Sequence, residues 1–444
     1  MANNEIIKEK IEKYFDQTKS WRNYLHENPE VSDKEYQTSK YLKKECEKLG
    51  LIVEDFDDTT GFIALLDTKK PGKTLGIRTD IDALPIAESP KNCKSKKEVV
   101  SKNPGVSHAC GHDSHMATLL SSAKILSELK EDLAGKIYFI FEEGEETGAG
   151  IDAMVRHLKD KNLDACYGNH QSPFLEIGEI SVVKGPSHAG CAGVEFDVIG
   201  KGGHGSRPDR CINPLTATAN IITALTNAWV NQLDISKTVT FGLGAINGGS
   251  ASNVIPNTCT VKGTLRFFDD KAGEDALEVL KEVTKLTAKA HKCHVKFTDY
   301  TKIVAYPTIN DVSLAEDVRK SLADIYPKAL VEEEATFGSE SFFGYSRLCP
   351  SVFTSFGIRN EDKGITAGAH TPEFDLDPEG IKYAIGLQVK FASDFLKGRF
   401  DDWVKKCNSW FWWFQSSGWC EFKCHRRWYI RNSRIFWSWQ INFS

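Results

Sequence analysis

The sequence predicts an α/β protein, a mixed and mainly parallel sheet covered by helices on both faces, with a second small unit inserted into it. Short β-rich apolar runs alternate with helix-period segments over residues 51–167 and again over 311–397. From about residue 188 the order changes to strand, helix, two strands, helix, strand, the βαββαβ order of a ferredoxin-like sandwich. The chain of 444 residues is 41% hydrophobic and 26% charged, enough to bury a core and long enough for two or three domains at ~150 residues each.

The elements follow from the pattern in order. Ile11, Tyr14, Phe15 and Trp21 recur near the helical period, as do Tyr36, Leu42 and Cys46. Asn28-Pro29 separates these into two helices, and Gly50 gives the second its stop. Phe62–Leu66 and Leu75–Ile77 read as strands, residues 115–130 as a helix, and Gly135–Phe141 as a buried strand. A helix at 150–158 and a short strand ending near Tyr167 complete the first stretch. The inserted unit runs through Val194–Ile199, helix Pro214–Gln232, strands Thr238–Leu243 and Val261–Phe267, helix Gly273–His291 and strand His294–Thr298. Helix 311–325, strand Ser351–Ser355 and helix 378–397 then resume the alternation.

Net charge is −5, so no basic excess points to nucleic acid. The N-terminus reads as an amphipathic helix rather than a secretory signal, and no run of 18 apolar residues spans a membrane. The twelve cysteines are scattered, which suits reduced thiols in a cytoplasm.

Four segments carry chemistry. The densest is His108-Ala-Cys-Gly-His112-Asp113-Ser-His115, where thiolate and imidazole are ligand types for zinc and its neighbours. Read alone, its plainer alternative is a helix start with His and Asp near its first turn, and the ligand types favour the metal reading over it. Phe141-Glu142-Glu143-Gly144-Glu145-Glu146 closes the buried strand, at the end where open α/β sheets place their sites. Four carboxylates there need a cation or solvent to take the charge. Neighbouring side chains diverge, so one Glu can bind metal while the next faces a water. His170 and His370 sit on loops after strands. Together these segments offer one Cys, three His and two Glu, sufficient for a two-metal hydrolytic site with a separate base.

Those motifs, with several others in the same order, resemble the M20 metallopeptidase family and within it the amidohydrolase branch, which includes N-acyl-amino-acid, hippurate and indole-acetyl-amino-acid hydrolases. The others are Trp21-Arg-Asn-Tyr-Leu-His26, Arg78-Thr-Asp80-Ile-Asp82-Ala-Leu-Pro85, Gly202-Gly-His204-Gly, Ser252-Asn253-Val-Ile-Pro256 and Gly338-Ser-Glu340. The resemblance covers residues 20 to 396. It implies that Cys110, His112, Glu146, His170 and His370 hold two divalent ions, Mn²⁺ or Zn²⁺, and that Glu145 is the general base. It implies a discontinuous catalytic domain, 1–187 and 303–398, and a lid and dimerisation domain, 188–302. His204 would then reach a neighbouring subunit's site to stabilise the oxyanion, and Asn253 and Arg266 would hold the substrate carboxylate. The implied partners are a small N-acyl amino acid substrate and a second copy of the chain, with no nucleic acid and no membrane. Asp80 and Asp82 read either as supports that orient the ligands or as a turn with a capping role. His26 reads as structural, and His115 as a support or a helix cap.

The expected activity is hydrolysis of the amide bond of N-acyl amino acids by water activated at the metals, with Glu145 taking its proton. A dipeptidase or carboxypeptidase from another branch of the family is the alternative, and an inactive binding protein on the same fold the non-enzymatic one. Two departures bear on the substrate. The branch usually has Gln-Pro-Ala where this chain has Glu142-Glu143-Gly144, and an Asp where Ser341 stands. The extra charge at 142 and 143 would either alter metal preference or sit in solvent.

Eight of the ten Trp lie beyond residue 400. Residues 399–444 lack a sustained period and read as an aberrant, out-of-frame or disordered tail. Surface membrane binding and base stacking are its formal alternatives.

Overall fold

The computed structural model describes residues 4–399 and, beyond them, 427–431 and 434–438. Helices α1 (Asn4–Glu27) and α2 (Tyr36–Lys48) lead into strands β1 (Ile52–Asp55), β2 (Phe62–Asp67) and β3 (Lys73–Asp80). There follow α3 (His112–Glu128), β4 (Gly135–Glu142), α4 (Ile151–Leu158), β5 (Ala165–Glu176), β6 (Ile180–Ser181) and β7 (Gly185–His188). The inserted stretch comprises β8 (Gly190–Ile199), β9 (Gly203–His204), α5 (Pro214–Asn231), β10 (Val239–Asn247), β11 (Val254–Ile255), β12 (Thr258–Phe267), α6 (Asp270–Ala290) and β13 (His294–Phe297). The chain returns through β14 (Ile303–Ala305), β15 (Thr308–Asn310), α7 (Val312–Ile325), β16 (Leu330–Val331), β17 (Ser351–Arg359) and α8 (Glu379–Leu396).

The main sheet has eight strands in the order β1-β2-β4-β3-β5-β17-β6-β16. Its centre, β4-β3-β5-β17, is parallel, and antiparallel pairs flank it. Central strands buried on both faces read as continuous apolar runs, and β4 is Ile137-Tyr-Phe-Ile-Phe141 for that reason. Alternate residues divide between the faces. Tyr138 and Ile140 pack with Ile151 and Met154 of α4 and with Phe342 and Tyr345 of the 3₁₀ helix Ser341–Arg347. On the opposite face α3 packs against α1 and α8, with Met116, Leu119, Leu120 and Ala123 fully buried. Each such Leu contributes about 1.5–3 kcal/mol of burial.

The second sheet is antiparallel, in the order β10-β12-β8-β13, with β14 also paired to β8. Val194, Phe196 and Val198 of β8 point at Ile221 and Leu225 of α5 and Leu280 of α6, so one face of this sheet carries both helices.

The observed elements fall close to the expected ones, with one informative difference. β5 does not end near Tyr167. It runs on to Glu176, and His170 lies inside it opposite Ser355 of β17 rather than on a loop. Apolar periodicity stops at Tyr167 because the rest of the strand, Asn169-His-Gln-Ser172, lines the site.

Among the described residues no helix is long and apolar enough to cross a membrane. The nine described cysteines are free thiols. The expectation for 399–444 lies mostly outside the described residues. Within it, β18 (Arg427–Arg431) and β19 (Arg434–Ser438) pair as an antiparallel hairpin.

Candidate functional site

At the C-terminal ends of β3 and β4 and beside the middle of β5 the chain brings together the polar segments found in the sequence. β3 delivers Arg78, Asp80 and Asp82; β4 runs into Glu142 and the 3₁₀ turn Glu145–Thr147; β5 carries His170; and α3 begins at His112. The turn before α3 depends on Gly111. It sits at φ +76°, and a Cβ there would lie 2.7 Å from Gln171 Cγ. Left-handed backbone and close approach both favour glycine.

Cys110, His112, Glu145, Glu146, His170 and His370 converge. Ligand atoms of Cys110, His112 and His170 lie within 4.8 Å of one another, as do those of Cys110, Glu146 and His370, and of His112, Glu145 and Glu146. Cys110 Sγ is 3.4 Å from His170 Nε2. Glu146 Oε1 lies 3.7 Å from His112 Nε2 and 3.3 Å from His370 Nε2. His112 Nε2 and Glu146 Oε1 are buried and make no hydrogen bond. Orphaned buried atoms of this kind are costly unless something binds them. Thiol, imidazole and carboxylate are the donors that divalent transition ions take, so the residues present fit a metal pair.

The other ring nitrogens are committed elsewhere, which fixes the tautomers. His170 Nδ1 donates to Gln171 O at 2.6 Å, and His112 Nδ1 lies 3.0 Å from Asp82 O and 3.1 Å from Asp82 Oδ1. Asp82 also accepts from the Glu146 backbone N–H (3.0 Å) and from Ser32 Oγ (2.7 Å). One carboxylate thus orients two of the metal-facing groups. His370 is held by its own backbone, whose N–H donates to Ala109 O at 2.8 Å.

His115 has no free nitrogen. Nδ1 meets Asp80 Oδ1 at 2.8 Å, and Nε2 accepts from the Gln171 N–H at 2.9 Å. It is a strut between β3 and β5. His26 bridges Asp113 and Glu88, at 2.8 and 2.9 Å, in a buried cluster behind α3.

The electrostatics follow from burial and from neighbours. Burial, then the Glu340 carboxylate, push Glu145 well above its ordinary range. Burial acts to lower His112, but the Asp80 and Asp82 carboxylates outweigh it and raise its pKa. Burial and the neighbouring His115 hold His170 well below the usual range, and burial pushes the Cys110 thiol up. Glu340 reaches about 7, through burial and the Asp80 and Glu142 carboxylates working against Arg78.

Neither Glu142 nor Glu143 sits in solvent. Both are buried, Glu142 against Arg78, Ser341 and Tyr345, and Glu143 against Thr60, whose N–H and Oγ1 each donate to it at 2.5 Å. The solvent reading fails because β4 carries the first carboxylate under the site instead of out of it.

Three of the expected residues are not among those that meet at this centre. His204 and Asn253 share an exposed tip where β9 pairs β11, with the Gly205 N–H donating to Asn253 O at 2.7 Å. His204 Nδ1 accepts from Ser206 Oγ at 2.8 Å. Arg266 on β12 donates from Nε to Phe337 O at 3.1 Å and from Nη1 to Leu265 O at 3.1 Å.

Beside the metal-facing groups lies a cavity of about 390 Å³ walled by Pro173, Phe174, Val183, His188, Glu333 and Phe353. Neither it nor Gln171, whose Nε2 donates to Cys110 O at 3.0 Å, is signalled by a local motif.

Comparison with known proteins shows what the chain is similar to. The model of peptidase family M20/M25/M40 matches residues 76–394. The chain is 31% identical over 386 residues to an Arabidopsis thaliana IAA-amino acid hydrolase ILR1-like 4, covering 86% of each chain. It is 33% identical over 383 residues to thermostable carboxypeptidase 2 of Saccharolobus solfataricus, covering 84% of this chain and 94% of that one. An N-acyl-L-amino acid amidohydrolase of Geobacillus stearothermophilus is 34% identical over 297 residues, 66% of this chain and 79% of the relative. A solved Bacillus subtilis dinuclear metal-binding peptidase of the M20 family superposes with TM-score 0.74 at 28% identity, over 87% of this chain and 99% of that one.

Proposed function

The chain belongs to peptidase family M20/M25/M40, and on that premise we propose that it is a metal-dependent amidohydrolase that cleaves N-acyl amino acids. The observation that carries the reading is the convergence of Cys110, His112, Glu146, His170 and His370, with buried unbonded atoms on His112 and Glu146, beside the Glu145 carboxyl. Those five side chains hold two divalent ions, Mn²⁺ or Zn²⁺. When bound, the ions supply Lewis-acid polarisation of the amide carbonyl and a water of lowered pKa.

The rest is work for the protein's own groups. Glu145 Oε1 is engaged by the Ser341 N–H at 3.2 Å, which leaves Oε2 to take a proton from the attacking water and pass it to the leaving amine. Asp82 keeps His112 and Glu146 in register through that exchange. The acyl group enters the cavity beside Pro173, Val183 and Phe353.

Residues 1–187 and 303–398 form the catalytic domain and 188–302 a lid that dimerises, in a cytoplasmic homodimer. Exposed apolar side chains support that reading: Val230 in the last turn of α5, Ile235 just after it, and Leu243 and Ile246 on edge strand β10. His204 completes the oxyanion site of the partner subunit, and Asn253 and Arg266 bind the substrate carboxylate. The exposed tip that carries His204 and Asn253 is compatible with action in trans. The tail beyond 399 takes no part in catalysis.

A carboxypeptidase is the second reading, favoured by the Saccharolobus solfataricus relative. A panel of N-acetyl, N-benzoyl and indole-acetyl amino acids, run against dipeptides and N-blocked peptides with added Mn²⁺ or Zn²⁺, separates the two. The proposal expects turnover of the first group. Turnover of peptides alone would replace it with the carboxypeptidase reading, and no hydrolysis with both ions bound would make the chain a binding protein.

A further inference from the structure

The two places where the sequence departs from the usual family pattern touch each other under the general base. Arg78 is fully buried near the end of β3. Its Nε donates to Glu142 Oε2 at 2.8 Å, its Nη1 to Asp80 Oδ2 at 2.8 Å and its Nη2 to Ser341 Oγ at 2.7 Å, while Nη2 lies 3.2 Å from Glu340 Oε1. The Ser341 hydroxyl, already accepting from Arg78, spends its one proton on Glu142 Oε1 at 2.5 Å. Tyr345 OH donates to Glu142 Oε2 at 2.6 Å. The network ends at the reacting group, because the Ser341 backbone N–H donates to Glu145 Oε1 at 3.2 Å.

Charge counting shows why the two positions depend on each other. One buried guanidinium faces three carboxylates, Asp80, Glu142 and Glu340. Replacing Glu142 by Gln alone turns one of its two acceptor oxygens into a donor, so one set of the donors on it, Ser341 Oγ or Tyr345 OH with Arg78 Nε, faces an NH₂ group. A carboxylate at 341 alone adds a fourth negative group where Ser341 Oγ now lies 3.3 Å from Glu340 Oε1. Both changes together keep three carboxylates on Arg78, and the introduced amide can donate to the introduced carboxylate.

We propose that Glu142 and Ser341 are a coupled pair of positioning residues. The carboxylate at the end of β4 fixes the first residue of the 3₁₀ helix Ser341–Arg347, and the N–H of that residue holds Glu145. The chain has exchanged the usual amide and carboxylate for a carboxylate and hydroxyl, keeping one charge on Arg78. The positioning role rests on the reading of Glu145 as general base; the coupling itself does not.

The test is a double-mutant cycle in the full-length, Mn²⁺-loaded protein: wild type, E142Q, S341D and E142Q/S341D, with S341A as a milder probe. N-acetyl-L-methionine is the substrate, or the faster N-acyl amino acid that the panel selects. Each single charge change is expected to lower kcat by about 10–100-fold with KM within about threefold and bound metal unchanged. S341A lowers kcat in the same sense, and the double variant recovers most of the loss. Melting temperatures of the four chelated proteins should show the same rescue. A double variant no better than the two losses combined, or S341A with wild-type kcat, overturns the proposal. Should E142Q fail to fold, a folded and active double variant is the expected rescue and an unfolded one the contrary result. A wild type that hydrolyses nothing defeats the amidohydrolase reading and the positioning role with it, while the melting cycle still decides the coupling.

Discussion

Glu35 is a carboxyl with no exposed surface, pressed against the turn that carries the general base. Its Oε1 accepts from the Gly144 N–H at 2.9 Å, and its Oε2 lies 2.8 Å from Thr60 Oγ1, whose one proton goes to Glu143. Burial outweighs these contacts and pushes it from 4.5 to about 7. The native state therefore holds a proton that the unfolded chain has released, so the group's contribution to stability is lost as pH rises from 4.5 to about 7. At ~1.4 kcal/mol per pH unit that loss is on the order of 3 kcal/mol. Glu35→Gln does not titrate. Urea unfolding of chelated wild type and variant at pH 5 and pH 8 should show the variant gaining on wild type at the higher pH. A difference that does not change with pH would mean that Glu35 titrates normally. Nothing in the sequence announces this residue, since Asp33-Lys-Glu35 reads as any charged turn before a helix. The same blindness hid Glu142 and Glu143. An acidic string is visible in a sequence, but whether the strand before it carries the charges into a core or into water is decided by tertiary packing.

The elements themselves were largely legible. Apolar patterning located β2, β3, β4, α3, α5 and α8: β3 and β4 as continuous runs, because both faces are buried, and the helices through apolar residues recurring near the helical period. It failed on β5, whose second half replaces apolar residues with His170, Gln171 and Ser172 because that half is the wall of the site. The Cys110–His112 segment was legible for the opposite reason, since its ligand types are packed into one short motif with a glycine at the required turn. Gly111→Ala tests that turn. Left-handed φ and the 2.7 Å approach to Gln171 Cγ should together cost about 1–3 kcal/mol of stability. The variant should also bind less metal by elemental analysis, because Cys110 and His112 flank the distorted residue. Full metal content and unchanged melting would show that the turn tolerates a side chain.

At the scale of the molecule the open question is which subunit completes which site. His204 and Asn253 stand together on an exposed tip rather than among the metal-facing groups, and their proposed role needs a second copy. Motif order pointed to them through family resemblance alone, since an exposed His between glycines has no local signature of catalysis. Mixing E145Q with H204A protein under conditions that exchange subunits provides the test. Each homodimer should be impaired by at least about tenfold, and the mixture should regain activity because hybrid dimers contain one site with both groups intact. A mixture no more active than its components would place His204 in its own subunit's site or outside catalysis.

The proposed chemistry needs five side chains to hold two ions for a water whose proton Glu145 accepts. It is tested most directly by titrating chelated wild type and E145Q with Mn²⁺ while measuring bound metal and hydrolysis of an N-acyl amino acid. Wild type should recover activity as it takes up two ions per chain. E145Q should take up the same two ions and remain about 10²–10⁴-fold slower. Hydrolysis by metal-free wild type, or an E145Q variant as fast as wild type at equal metal content, would contradict the account.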